Sequence, residues 1–200
     1  MWFLRLEDDP LAMRSLPLGV LIELAARQSQ RDVDELALLD GQGDLAEPVV
    51  VHDHTGAVYE DRALHVVGDS ELLVWCLAEL ITNARKFARP RDGDVQDARR
   101  DPPEPTQIDI DATSHHGWVH VQLTNSGRAV DPALAEDAFK LGRMLQARGE
   151  RPGIGLGLPL CRRIVTRHGG RVTLGRSPDG DTVATLRLHG AAPDLSDKVV

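Results

Sequence analysis

The segment ELITNARKF, residues 79–87, sets an acid, an amide and a base at helical spacing. Glu79 and Asn83 are one helical turn apart, and Lys86 follows on the same side. The amide oxygen of Asn83 suits a hard cation such as Mg2+, which usually keeps water and substrate phosphates as its other ligands. Lys86 would then neutralise phosphate charge, and Glu79 would position or deprotonate a nucleophile. An uncharged amide also departs from the apolar stripe of Leu73, Cys76, Leu77 and Leu80 that precedes it. Taken alone, the segment reads more readily as a capped or solvated polar helix face.

The second stretch is GIGLGLP, residues 153–159. Gly153, Gly155 and Gly157 allow backbone to approach a ligand closely, and Pro159 suits the first turn of a helix. Free N–H groups and the helix dipole at such a start attract anions, phosphate above all. Two familiar phosphate loops do not fit. The dinucleotide fingerprint needs G-x-G-x-x-G directly after a strand, whereas this is G-x-G-x-G after an irregular segment. GRVTLGRS, residues 170–177, imitates a Walker loop, but Arg176 stands where lysine is required and no helix follows.

Three helices must position these groups. In residues 18–41 the apolar positions Leu21, Leu24, Ala25, Val33, Leu36 and Leu39 recur near helical spacing, and Gly41 stops the pattern. Asp69 or Ser70 can cap a second helix that runs without Gly or Pro until Pro90. LPLCRRIVTRHGG, 158–170, predicts a third, with Leu160, Cys161, Ile164 and Val165 as its apolar side and Gly169 at a left-handed cap. His168 at that C-terminus would be favoured as a partial cation. Strands are predicted in 47–53, 62–69, 107–113, 118–125, 171–177 and 182–190, the middle pair and the last pair as hairpins. Residues 89–106 are polar and proline-bearing, a loop, and 131–152 hold a short helix leading into a lid-like segment. The expected fold is an α+β two-layer sandwich, a mixed and mostly antiparallel sheet with helices on one face. Residues 1–45 form an N-terminal helical segment, 46–190 the main domain, and 191–200 a frayed tail.

The 200 residues carry a net charge of −8, which disfavours nucleic acid and anionic membrane as partners. Basic residues are nearly all Arg; Lys86 is one of three lysines, with Lys140 and Lys198. Cys76 and Cys161 lie in apolar, helix-like surroundings and are expected to be reduced core residues. No apolar run is long enough to span a bilayer, so a cytoplasmic protein is expected.

ELITNARKF, LTNSGRAV, GIGLGLPLCRRIVTRHGGRVTL and GDTVATLRL together resemble, in order and spacing, the boxes of the ATP-binding catalytic domain of sensor histidine kinases. This is the GHKL superfamily, and the likeness covers about residues 46–190. The resemblance implies an ATP site between helices and sheet, closed by a lid. Asn83 would hold Mg2+, Lys86 would contact the phosphates, and Glu79 and Lys86 would be the catalytic pair. Gly153, Gly155, Leu156, Gly157 and Leu158 would form the lid hinge and phosphate cradle. Phe139 matches the aromatic before the lid, and Thr182 the threonine near the adenine pocket. The family's Asp-x-Gly-x-Gly box is here Asn125-Ser126-Gly127-Arg128-Ala129. Asn125 and Gly127 would then face the base, with Asn125 keeping an acceptor oxygen but no charge. The loss of a charge-assisted hydrogen bond predicts ATP affinity about tenfold lower.

No histidine precedes His52, and His52 sits in a strand-like stretch, so self-phosphorylation by the usual route is not expected. The helix in residues 16–40 would be a remnant of the dimerisation helices, allowing a homodimer, or a packing helix. The leading expectation is Mg2+-dependent phosphoryl transfer from ATP to a protein partner in signal transduction: a response regulator, a phosphotransfer protein or another regulatory protein. The alternatives are a degenerate GHKL module acting by protein–protein interaction and an anti-sigma-type serine kinase.

Overall fold

The computed structural model describes residues 9–39, 50–53, 64–88, 107–125, 130–142 and 155–191. The centre of the sheet is the hairpin of β4 (Gln107–His115) and β5 (Trp118–Asn125), joined at His116 and Gly117, both of positive φ. β5 pairs antiparallel with β7 (Thr182–Ala191), which also pairs with β6 (Arg171–Arg176) and, further along, with β3 (His65–Gly68). β1 (Arg14–Pro17) extends the sheet beyond β3, and β2 (Val50–Asp53) runs parallel to β4 at the opposite edge. One parallel pair in an otherwise antiparallel sheet is the expected mixed, mostly antiparallel arrangement.

Strict alternation divides the sheet into two faces. Ile108, Ile110, Val119, Val121, Leu123, Val172, Leu186 and Leu188 are buried on one of them. Against that face pack α2 (Ser70–Phe87) and α4 (Gly157–Arg167), with the short α3 (Pro132–Ala135) and a single turn of tighter helix at Asp137–Phe139 near the edge. The α+β two-layer fold is therefore as expected. Among the described residues no helix is long and apolar enough to cross a membrane.

Asp69 starts α2: its carboxylate accepts from the N–H of Leu72 at 3.3 Å and from that of Ala12 at 3.1 Å. Its own N–H donates to His168 Nε2 at 3.0 Å, at the far end of α4. α2 and α4 thus run antiparallel. Halfway along the pair, Cys161 Sγ donates to the Cys76 carbonyl at 3.6 Å. Both thiols are buried and free, as expected of core cysteines, and burial pushes that of Cys161 well up.

His168 corrects its sequence reading. Its Nδ1 lies 2.8 Å from the Ile164 carbonyl while Nε2 accepts from Asp69, so the ring is the neutral Nδ1–H tautomer. Burial lowers its proton affinity, which outweighs the helix terminus that would favour a cation.

Two findings concern the N-terminal part. β1 was not foreseen, because four residues ending in proline give no alternating run, and pairing with β3 supplies what local pattern lacks. α1 (Leu18–Leu39) was expected, but with Leu24 inward; the buried side is Leu18, Leu21, Ile22, Ala25 and Ser29, and Leu24 is 44% exposed. Ser29 sets this phase. Its hydroxyl is 2.8 Å from that of Thr82, tying α1 to α2 across their interface. Leu36 and Leu39 have side chains outside the described residues.

Candidate functional site

The groups proposed for chemistry come together where α2 meets the start of α4. A Cβ added at Gly157 would overlap the Glu79 carboxylate, and would lie 3.9 Å from Asn83 Nδ2. The absence of a side chain here lets the acid lie against the start of α4; a larger residue would displace the flexible end of Glu79. Glu79 and Asn83 are both half-buried. Lys86, two turns along α2 from Glu79, is near enough to lower its proton affinity, but desolvation is the larger effect and the carboxyl ends raised.

The main chain at α4's start is as open as the sequence predicts. Leu156 occupies the N-cap position, is 36% exposed and offers no side-chain cap to the first N–H groups of the helix. Gly155 has φ 68° and its carbonyl accepts from the N–H of Gly142 at 3.2 Å, turning the chain into the helix. Leu158 packs partly into the core and anchors the first turn. Phe139 is buried beneath the guanidinium of Arg162, 3.8 Å from the ring centre, and Arg162 also pairs with Glu136 at 2.9 Å.

A second pair lies at the end of the sheet. Asn125 and Thr182 are direct cross-strand partners on β5 and β7. Asn125 continues the inward row of Val119, Val121 and Leu123 and is 4% exposed. A buried amide closing an apolar row on the helix-covered face is a polar group that burial obliges to be hydrogen-bonded. Gly127 and Gly153, also expected at the site, lie outside the described residues, as does Ala129.

One neighbour went unnoticed in the sequence. Ser29 meets Thr82 across the interface of α1 and α2, and the charge of Asp32 on α1 adds to the rise in the proton affinity of Glu79. Helix pairing over some fifty residues of chain has no local signal. A cleft of about 350 Å3, between Asp9–Ala12, Gln28 and the first turns of α2 at Asp69 and Trp75, lies at the other end of α2 and holds none of these groups.

The family described as "Histidine kinase-, DNA gyrase B-, and HSP90-like ATPase" matches residues 68–192. The chain is 25% identical over 180 residues to the sensor-like histidine kinase SenX3 of Mycolicibacterium smegmatis, covering 86% of this chain and 43% of that protein. It is 29% identical over 174 residues to the probable sensor protein PcoS of Escherichia coli, covering 84% and 32%. It therefore spans less than half the length of either relative. Among solved structures, the mycobacterial sensor histidine kinase MprB superposes with a TM-score of 0.63 at 16% identity, over 90% of this chain and 98% of that one. Full-length ShkA in complex with AMPPNP superposes at 0.65 and 17% identity, over 96% and 34%. These two likenesses establish the fold. With a family match that spans most of the chain, the chain belongs to the histidine kinase-, DNA gyrase B- and HSP90-like ATPases.

Proposed function

We propose that this protein binds ATP with Mg2+ between α2 and the start of α4, and transfers the γ-phosphoryl group to a partner protein in a two-component pathway. The observation that carries the reading is the close approach of Gly157 to Glu79, with Asn83 beside it, which brings an acid, an amide and the first turn of α4 to one point. Asn83 and Glu79 offer oxygen donors suited to a hard cation. Among the described residues no three His, Cys, Asp or Glu side chains cluster as a metal cage. A metal here would thus complete its shell with phosphate and water, as Mg2+ characteristically does. Bound Mg2+ would neutralise charge on the transferring phosphoryl group. Lys86 and the start of α4 would hold the phosphates, and Asn125 and Thr182 would face the base. Glu79, desolvated and raised in proton affinity, would orient or deprotonate the acceptor. The acceptor is assigned to a partner, a response regulator, phosphotransfer protein or other regulatory protein, in the cytoplasm, and α1 is the element through which two copies would associate.

Titration with a fluorescent ATP analogue, with and without Mg2+, tests this. Saturable, Mg2+-dependent binding that is lost in Asn83→Ala supports it. Absence of saturable binding leaves the second reading, a module that acts only through protein contacts, which the uncharged Asn125 favours. Incubation with γ-labelled ATP and candidate partners then distinguishes label on histidine from label on serine, the mark of an anti-sigma-type kinase.

A further inference from the structure

We propose that the helix-free face of the sheet, around Arg187 and Trp118, is a docking surface for a short acidic segment of a partner protein. The outward row of β5 and β7 carries Trp118, His120, Arg187 and His189, none of them buried, and no described element covers them. Only seven aromatic residues occur in the chain, three of them Trp, and one is placed here rather than in the core. The Arg187 guanidinium lies over Trp118, 3.8 Å from the ring centre, and the His189 ring stacks on the same indole at 3.9 Å.

Arg187 Nε is buried without a hydrogen-bond partner, a state no other described side-chain nitrogen or oxygen shares. Such a donor is unfavourable unless an acceptor arrives. Arg187 is also flanked across β6 by Arg171, whose charge reaches Glu136 at the sheet edge, and like charges set opposite each other repel. The repulsion between the two cations is relieved by an anion that binds the terminal N–H groups of Arg187. A planar guanidinium fixed on an indole presents a rigid fork that suits a carboxylate, and Trp with Arg are the residue types that anchor protein interfaces.

The surface is a flat sheet, which suits a chain segment rather than a small molecule. Asp109 and Asp111 occupy the same face further along β4, beside Thr124 and Gln122. They repel a long polyanion, as does the net charge of −8, so a short acidic peptide is favoured over nucleic acid.

The test is fluorescence anisotropy of a labelled octa-glutamate peptide against the full chain at low salt. Saturable binding is expected, weakened about tenfold in Arg187→Ala and less in Arg187→Lys, which keeps the charge but not the fork, and unchanged in Gln122→Ala. Circular dichroism confirms that each variant is folded. No saturable binding, equal affinity in Arg187→Ala, or tighter binding of octathymidylate than of the peptide each overturns the proposal. ATP titration is independent of all three outcomes.

Discussion

At Glu79, desolvation raises the proton affinity of the carboxyl more than Lys86 lowers it, and Asp32 on α1 adds to the rise. The folded protein therefore holds this proton more tightly than the unfolded chain. The stabilisation is complete below the unfolded pKa near 4.5 and is lost as pH rises through the higher folded value. At neutral pH the ionised acid is a cost to stability. Glu79→Gln is expected to raise the melting temperature at neutral pH and to leave it unchanged in acid, while phosphoryl transfer falls about a hundredfold or more; thermal melts across the acid-to-neutral range check the first part. Asn125 is the other informative residue. Asn125→Asp is expected to tighten ATP binding about tenfold by restoring a charged acceptor, and to increase discrimination against GTP, because an amide donates as well as accepts. Competition titrations with the two nucleotides measure both.

At the scale of elements, α2 and α4 form an antiparallel pair held at one end by His168 and Asp69 and open at the other where Gly157 faces Glu79. The polar end locks the helices, so that the functional end is positioned without a side-chain link of its own. His168→Ala removes the acceptor for the Asp69 N–H and is expected to cost about 2 kcal/mol in urea unfolding. The imidazole's depressed folded pKa gives the sign of its pH dependence. Its contribution is complete above the unfolded value near 6.5 and lost as pH falls through the folded one, so the wild-type advantage over His168→Ala should shrink in acid. A constant difference between the two proteins at all pH values would count against this link.

For the whole molecule, the inward residues of α1, the buried stripe of α2, the apolar side of α4 and the inner sheet face form one core. Unfolding followed by tryptophan fluorescence and by circular dichroism is therefore expected to coincide. Saturating ATP with Mg2+, at about a hundred times Kd, should stabilise the protein by about 2.7 kcal/mol. That increment should vanish in Asn83→Ala. Because the charge of Asp32 on α1 contributes to the raised proton affinity of Glu79, movement of α1 would change that affinity.

The helices 18–39, 70–87 and 157–167, both hairpins and the four boxes were legible in the sequence, because hydrophobic period, caps and turn residues act within a few positions of one another. The proposed site was readable for the same reason: Glu79, Asn83 and Lys86 share one helix, and Gly155 and Gly157 share one turn. Other features needed the tertiary structure. The phase of α1, with Leu24 outward and Ser29 inward, follows from contact with Thr82. β1 exists because β3 offers an edge, and His168 is neutral because the start of α2 buries it. Propensity and pattern are properties of neighbours along the chain, whereas burial and charge are properties of neighbours in space. Residues far apart in the sequence, Glu79 and Gly157 above all, become neighbours only once the two helices pack.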